Sequence, residues 1–330
     1  MVSLPLVDVS ALLDPAAGPA SCASVGRAID AACRDTGFLL VTGHGIDPAL
    51  RDDLDRLSRE FFALPDAVKS DIAMGRGGLA WRGWFPVGGE LTSGRPDRKE
   101  GIYFGSELPV TDPRVVAGTP LHGPNLFPSA PAGLGPVVLR WVEEVTRLGQ
   151  AVLGGIALGL GLDRDWFATH LTADPTVLFR VFHYPPGDAE SWGVGEHTDY
   201  GLITLLAQDH HGGLQVRSAE TWIDVPADPY AFVVNIGDML ERMTRGGYRS
   251  NPHRVRNLSG ADRLSFPLFL DPSWDATVTP LPQTVFRDLP DDDSARRWDG
   301  QSVHAWEGVY GDYLTAKVAK VFPELAAALS

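Results

Sequence analysis

The stretch "GEHTDYGLITLLAQD", residues 195–209, decides how this chain is read. It sets a histidine and an aspartate two positions apart, directly ahead of an apolar run. Stripping water from ionisable groups is costly unless a partner compensates, so His197 and Asp199 need a reason to be there. On extended chain, side chains at i and i+2 point to the same face. An imidazole and a carboxylate on one face suit a divalent metal of intermediate hardness. The pair taken alone is a weak signal and reads more simply as a hydrogen bond between the two at a strand end.

A metal site needs a third ligand. His253, in "YRSNPHRVRNL", falls in a different predicted strand. In a rolled antiparallel barrel, strands that far apart in sequence can face each other. His197, Asp199 and His253 would then form a two-histidine, one-carboxylate facial triad, the arrangement of non-haem Fe(II) oxygenases. The other histidines are poorer candidates. His210 and His211 read as an exposed pair in the turn "QDHHGGL", while His44, His122, His170, His183 and His304 have no carboxylate two positions on.

A second constellation follows in "DRLSFPLFL". Arg263 and Ser265 share one face of a predicted strand, and so apolar a strand gives a buried arginine no reason of its own. Its rigid fork matches a carboxylate, and the serine hydroxyl adds a hydrogen bond. The partner is either a bound dicarboxylate or an Asp or Glu of the chain.

Composition limits the function classes. The chain has 330 residues, 44% of them hydrophobic, which is ordinary for a soluble globular protein. Its formal charge of −14, from 28 basic and 42 acidic residues, repels nucleic acid and anionic membranes. No apolar run approaches the roughly 20 residues that span a bilayer. The first residues lack the pattern of a signal peptide, so a cytoplasmic protein is expected. Cys22 and Cys33 have no paired spacing and read as reduced, packed thiols. The acidic cluster "DLPDDDSARRWD" (288–299) reads as a solvated loop.

Periodicity gives the architecture. "LPLVDV" and "GFLLVTGH" (37–44) read as strands, 21–35 and 47–65 as amphipathic helices, and "VVLRWVEEVTRLGQAVLGGIALGLGL" as a longer helix over about 134–161. Asp47 suits the cap of its helix and Pro48 the first turn. Residues 74–128 are rich in Gly and Pro, with "KEGIYFG" (99–105) the clearest strand. Beyond Pro175 short strands alternate with turn residues up to "RLSFPLFLDP", which suggests an antiparallel sandwich or barrel. "GDYLTAKVAKVF" reads as a final helix. The fold class expected is mainly β with packed helices: an N-terminal α/β and helical scaffold over 1–175, a β core over 176–285, and a C-terminal loop and helix over 286–330.

Taken together, "FHYPP", "GEHTDYGLITLLAQD", "GGLQV", "TWIDVP", "VVNIGDMLERMTRGGYRSNPHRV" and "DRLSFPLFLDP" resemble the iron(II)- and 2-oxoglutarate-dependent dioxygenase superfamily, in its isopenicillin N synthase-like branch. "LPLVDVSALL" and "GFLLVTGHGI" resemble the family's N-terminal region. The resemblance implies a double-stranded β-helix (jelly-roll, cupin-like) core with Fe(II) on His197, Asp199 and His253. It implies 2-oxoglutarate and O2 as cosubstrates, with Arg263 and Ser265 on the far carboxylate of 2-oxoglutarate. Tyr184, in "HYPP", matches a family tyrosine that also contacts it. Many members carry an asparagine two residues earlier, where this chain has Phe182. The implied reaction oxidises a small organic molecule, by hydroxylation, desaturation, ring closure or ethylene formation, with release of succinate and CO2.

The substrate is expected to approach from "GLAWRGWFPVGGELTSGRPDRKEGIYF", where Trp81, Arg82, Trp84 and Phe85 offer apolar surface with one cation, and from Trp192. A substrate carboxylate would pair with Arg82. Three alternatives stand beside this: an isopenicillin N synthase-like oxidase that uses no 2-oxoglutarate, a non-catalytic binding module on the same barrel, and a zinc hydrolase on the same ligands. For the last, the sequence offers no HExxH-like motif. Substrate identity and oligomeric state are unread.

Overall fold

The computed structural model describes residues 4–92, 94–186, 192–218, 221–281, 297 and 300–322. Among these, fourteen strands form three sheets. In chain order they are β1 (Leu6–Asp8), β2 (Phe38–Thr42), β3 (Gly83–Phe85), β4 (Leu91–Thr92), β5 (Arg95–Pro96), β6 (Glu100–Gly105) and β7 (Pro175–Tyr184). The remainder are β8 (Val194–His197), β9 (Ile203–Gln208), β10 (Leu214–Ser218), β11 (Thr221–Asp224), β12 (Phe232–Ile236), β13 (His253–Val255) and β14 (Arg263–Ser273). The larger sheet runs β1-β2-β12-β9-β14-β7-β6-β3, the smaller β11-β10-β13-β8, and β4 and β5 make a hairpin. Only the β1–β2 pairing at one end of the larger sheet is parallel. The two N-terminal strands therefore extend the same sheet that carries the core strands.

β14 shows how the sequence builds a wall with two uses. Leu264, Phe266, Leu268 and Leu270 are fully buried on one face, and there the helix Leu134–Gly159 packs. Trp141 of that helix lies 5.8 Å from the Phe232 ring and 6.4 Å from Phe266. A Cβ on Gly149 would come within 2.8 Å of Leu270, so glycine there lets the helix seat directly on the sheet. The alternate residues Arg263, Ser265, Pro267, Phe269 and Asp271 face a cavity between the two sheets. Period-two alternation on a pleated strand thus separates core from site.

The helices follow their sequence signals. Pro19–Asp35 and Pro48–Phe62 bury their apolar stripes, and the Asp47 carboxylate accepts the Ala49 backbone N–H at 2.9 Å. The final helix is Tyr310–Val321, whose Leu314, Val318 and Val321 reach the cavity. Cys22 and Cys33 are free and buried, and burial raises the Cys33 thiol far above its usual range. No helix of the described residues is long and apolar enough to cross a membrane.

Replacing Asp47 with alanine removes the cap of Pro48–Phe62. Stability should fall by about 1 kcal/mol, read as a lower denaturation midpoint with an unchanged slope.

Candidate metal and cosubstrate site

The two histidines come together through strand register. β8 and β13 are antiparallel neighbours in the smaller sheet, and His253 pairs directly with His197, leaving their ring centroids 4.2 Å apart. Asp199 arrives differently. β8 ends at His197, and Asp199 lies on the crossover that carries the chain to β9 in the larger sheet. The expectation that the pair shares one face of extended chain is therefore corrected: His197 belongs to one sheet, the apolar run to the other, and Asp199 to the link.

That link is pinned by backbone. The Asp238 N–H donates to the Asp199 carbonyl at 2.8 Å, Met239 N–H to Gly201 at 3.0 Å, and Gly237 N–H to Leu202 at 2.8 Å. The start of the helix Asp238–Met243 thus holds the crossover in place. Arg297 adds side-chain contacts, donating to Thr198 Oγ1 at 3.3 Å and ion-pairing with Asp238 and Glu241. The rest of the acidic segment 288–299 expected to be a solvated loop lies outside the described residues. Arg297 itself is buried in this pairing, with 5% of its side chain exposed.

The carboxylate of Asp199 is oriented by donors on one side. Thr204 Oγ1 at 2.5 Å and Asn235 Nδ2 at 2.7 Å both donate to Oδ2. Oδ1 faces His197 Nε2 at 3.9 Å and His253 Nε2 at 3.7 Å. One atom from each of the three residues fits within a 4.8 Å group, a donor set of two imidazoles and one carboxylate that suits Fe(II). Burial drives the Asp199 carboxyl upward, but His253, His197 and the two donors outweigh it, and the net shift is downward. Burial, then His197, lowers His253 to about 4, so its imidazole is neutral at physiological pH. His197 Nδ1 lies 2.8 Å from the Gly195 carbonyl, which sets its tautomer and frees Nε2.

Arg263 and Ser265 line the same cavity. Arg263 is fully buried. Its Nε donates to the Gly212 carbonyl at 3.1 Å and Nη2 to Gln208 Oε1 at 3.3 Å, and its guanidinium carbon lies 4.8 Å from the centre of the Tyr184 ring. Among the described residues its Nη1 has no hydrogen-bond partner and no carboxylate ion-pairs with it. An internal salt bridge, the alternative left open by the sequence, is not what holds this arginine. Ser265 Oγ and Tyr184 OH are 3.3 Å apart. Phe182 lines the cavity and offers it no polar group.

The substrate-side expectations need correction. Trp81, Arg82, Trp84, Phe85 and Trp192 are not among the cavity-lining residues. Arg82 is buried and donates to the carbonyls of Phe104 and Leu121, at 3.2 and 2.8 Å. Burial, with the charge of Arg180, lowers it to about 9. Trp84 Nε1 donates to Glu100, Trp81 packs edge-on against Phe322, and Phe85 packs behind Tyr103. Trp192 is stacked between Arg254 and Arg256, 4.3 and 3.7 Å from its ring. Each has a structural use that short sequence windows do not reveal. His211, expected to be exposed, is half-buried and bonded to Asp209.

Sequence reasoning missed other cavity residues. Arg180 shares the parity of Tyr184 along β7, and Asp271 the parity of Arg263 along β14. Counting by twos from the recognised residues would have found both. Asp271 is raised to about 7: burial raises it, the Tyr310 hydroxyl opposes, Asp199 adds, and Arg180 opposes.

With this geometry in hand, the comparisons are direct. Residues 175–272 match the 2OG-Fe(II) oxygenase superfamily model, and residues 4–130 match the N-terminal model described as "non-haem dioxygenase in morphine synthesis". A probable iron/ascorbate oxidoreductase of Dictyostelium discoideum is 44% identical, covering 98% of this chain and 95% of its own. This chain belongs to the 2OG-Fe(II) oxygenase superfamily. A 1-aminocyclopropane-1-carboxylate oxidase of Dictyostelium mucoroides is 35% identical over 97% of this chain and 95% of its own. The solved structure of a full-length Neurospora crassa protein in complex with alpha-KG and thymine superposes with a TM-score of 0.77 at 27% identity, covering 98% of this chain and 96% of that one. The protein is a 2-oxoglutarate-dependent non-haem iron oxygenase with a double-stranded β-helix core, using Fe(II), 2-oxoglutarate and O2 on a small-molecule substrate. The non-catalytic and zinc-hydrolase alternatives fall away.

Asn235→Ala removes one donor from Asp199 Oδ2. An anaerobic metal titration should show Fe(II) affinity reduced on the order of 10-fold, with the fold intact by circular dichroism.

Proposed function

We propose that His197 Nε2, Asp199 Oδ1 and His253 Nε2 hold the iron, and that Arg263, Ser265 and Tyr184 hold the far carboxylate of 2-oxoglutarate. The observation that carries this reading is the direction of the unpartnered valences. The three ligand atoms converge within 4.8 Å, and the orphaned Nη1 of Arg263 lies on the same cavity wall. A buried N–H without an acceptor is costly in a low-dielectric interior, and a dicarboxylate supplies one.

When bound, the iron with 2-oxoglutarate and O2 supplies the oxidant for a substrate C–H bond, and 2-oxoglutarate leaves as succinate and CO2. The chain's residues position and exclude. Thr204 and Asn235 keep Oδ2 of Asp199 occupied, so the carboxylate presents a single oxygen. The Gly195 carbonyl fixes the His197 ring. Gly212 and Gln208 lock the Arg263 fork so that its remaining N–H groups meet a carboxylate without rearrangement. Tyr184 covers the arginine face, and Ser265 adds a hydroxyl. Over the substrate side, Leu314, Val318 and Phe322 exclude water that would otherwise intercept the oxidant.

The test is an anaerobic titration of the apo-protein with Fe(II) and then 2-oxoglutarate, following the visible charge-transfer band of the chelate. The band should appear in the wild type and be lost in His197→Ala. Arg263→Ala should raise the 2-oxoglutarate concentration needed for half-saturation by roughly 100-fold, as expected for loss of one partner of a buried charge pair. Iron binding without any band, or a band indifferent to Arg263, would refute the assignment.

A further inference from the structure

Arg263 is the first residue of β14, and on one side its strand has run out of support. The β9–β14 ladder extends from Leu270 opposite Ile203 to Ser265 opposite Gln208 and stops there, two residues short of Arg263. Strand ends open more readily than strand centres, yet a group that orients a reactant must be held to well within an ångström. Two charged side chains that do not line the cavity take over at this point, Asp209 and Arg59.

Asp209 is fully buried. Its Oδ2 accepts the Leu264 N–H at 2.7 Å, and its own N–H donates to the Leu264 carbonyl at 3.2 Å. Arg59, on the helix Pro48–Phe62, donates from Nη1 to the Asp262 carbonyl at 3.0 Å and from Nη2 to Asp209 Oδ2 at 2.8 Å. Its Nε is held in turn by Asp55 at 2.7 Å. The ion pair thus grips the backbone on both sides of Arg263, at residue 262 through Arg59 and at residue 264 through Asp209.

The same carboxylate shapes the turn that feeds the fork. Oδ1 accepts the His211 N–H at 2.9 Å, and His211 Nδ1 lies 3.0 Å from Oδ2. The next residue is Gly212, whose carbonyl accepts from Arg263 Nε. Beyond it Gly213 holds a φ of +112°, and its carbonyl accepts the Arg256 N–H at 2.9 Å. Burial pushes the Asp209 carboxyl upward, but His211, the backbone N–H groups and the Arg263 charge outweigh it, and the net shift is downward.

We infer that Asp209 and Arg59 are positioning residues for 2-oxoglutarate, setting its affinity through the Arg263 fork without touching it. This rests on the proposal that Arg263 holds the far carboxylate. A buried carboxylate is costly unless its bonds are made. Among the described residues, those bonds end on Arg59, on the residue after Arg263, and on the turn that supplies Gly212. All three converge on one guanidinium.

The experiment compares three anaerobic titrations of the full chain. Fe(II) affinity is read by calorimetry, and the chelate band then reports 2-oxoglutarate and, separately, 2-oxopentanoate. The latter keeps the 2-oxo acid and the carbon chain but carries a methyl group in place of the far carboxylate. Arg59→Gln and Asp209→Asn should each weaken 2-oxoglutarate about 10-fold, in the range for residues sharing one hydrogen-bond network. Both should leave Fe(II) and 2-oxopentanoate unchanged, and neither should weaken 2-oxoglutarate further in an Arg263→Ala background. A loosened barrel would shift all three ligands alike, and that result would overturn the inference. So would a loss that persists without Arg263, or unchanged 2-oxoglutarate binding in both variants. Should Asp209→Asn fail to fold, Arg59→Gln decides alone, since Arg59 keeps 34% of its side chain exposed and its removal leaves Asp209 its other donors. Binding of 2-oxoglutarate indifferent to Arg263→Ala would instead refute the parent assignment, a result distinct from failure of the Arg59 and Asp209 variants.

Discussion

Asp199 stands where the chain leaves the smaller sheet for the larger, and its two oxygens do different things. Oδ2 accepts from Thr204 on β9 and Asn235 on β12, while Oδ1 faces the two histidines of β8 and β13. One buried carboxylate therefore ties both sheets to a single point. Without those donors it would be free to rotate, and the triad would lose its defined third member. The backbone bonds from residues 237–239 to residues 199–202 supply the same constraint from below.

The rest of the site follows from alternation along two neighbouring strands. β14 turns Arg263, Ser265, Phe269 and Asp271 toward the cavity and its leucines toward the helix Leu134–Gly159. β7 turns Arg180, Phe182 and Tyr184 the same way. Register then matters: Arg263 pairs with Tyr184 and Ser265 with Phe182. A slip by one residue would carry every one of these groups into the hydrophobic core. The apolar packing behind β14 thus keeps the Arg263 fork in place, because moving the fork would expose Leu264, Phe266, Leu268 and Leu270.

Much of this was legible in the sequence. Strand period, the Asp47–Pro48 helix start and the long helix after Gly133 gave the element order, and the spaced His, Asp, His and Arg-x-Ser pointed to residues that the fold brings to one cavity. The break between His197 and Ile203 was not legible, because an apolar run beside a histidine reads as one strand when the second sheet is unknown. Nor was the fate of the Trp81–Phe85 aromatics. Arg82 finds its partners in the carbonyls of Phe104 and Leu121, 22 and 39 residues away, and only the folded chain shows that. Asn235 and Arg180 carry no motif of their own; they matter through the residues they face.

The central claim is that three side chains from two sheets and their crossover make one iron site. Crystals grown anaerobically with Fe(II) and 2-oxoglutarate, with diffraction data collected on both sides of the iron absorption edge, test it most directly. The expected result is one anomalous peak about 2 Å from His197 Nε2, Asp199 Oδ1 and His253 Nε2, the usual distance for such donors. A peak bound by other residues, or one that leaves out any of the three, would contradict it.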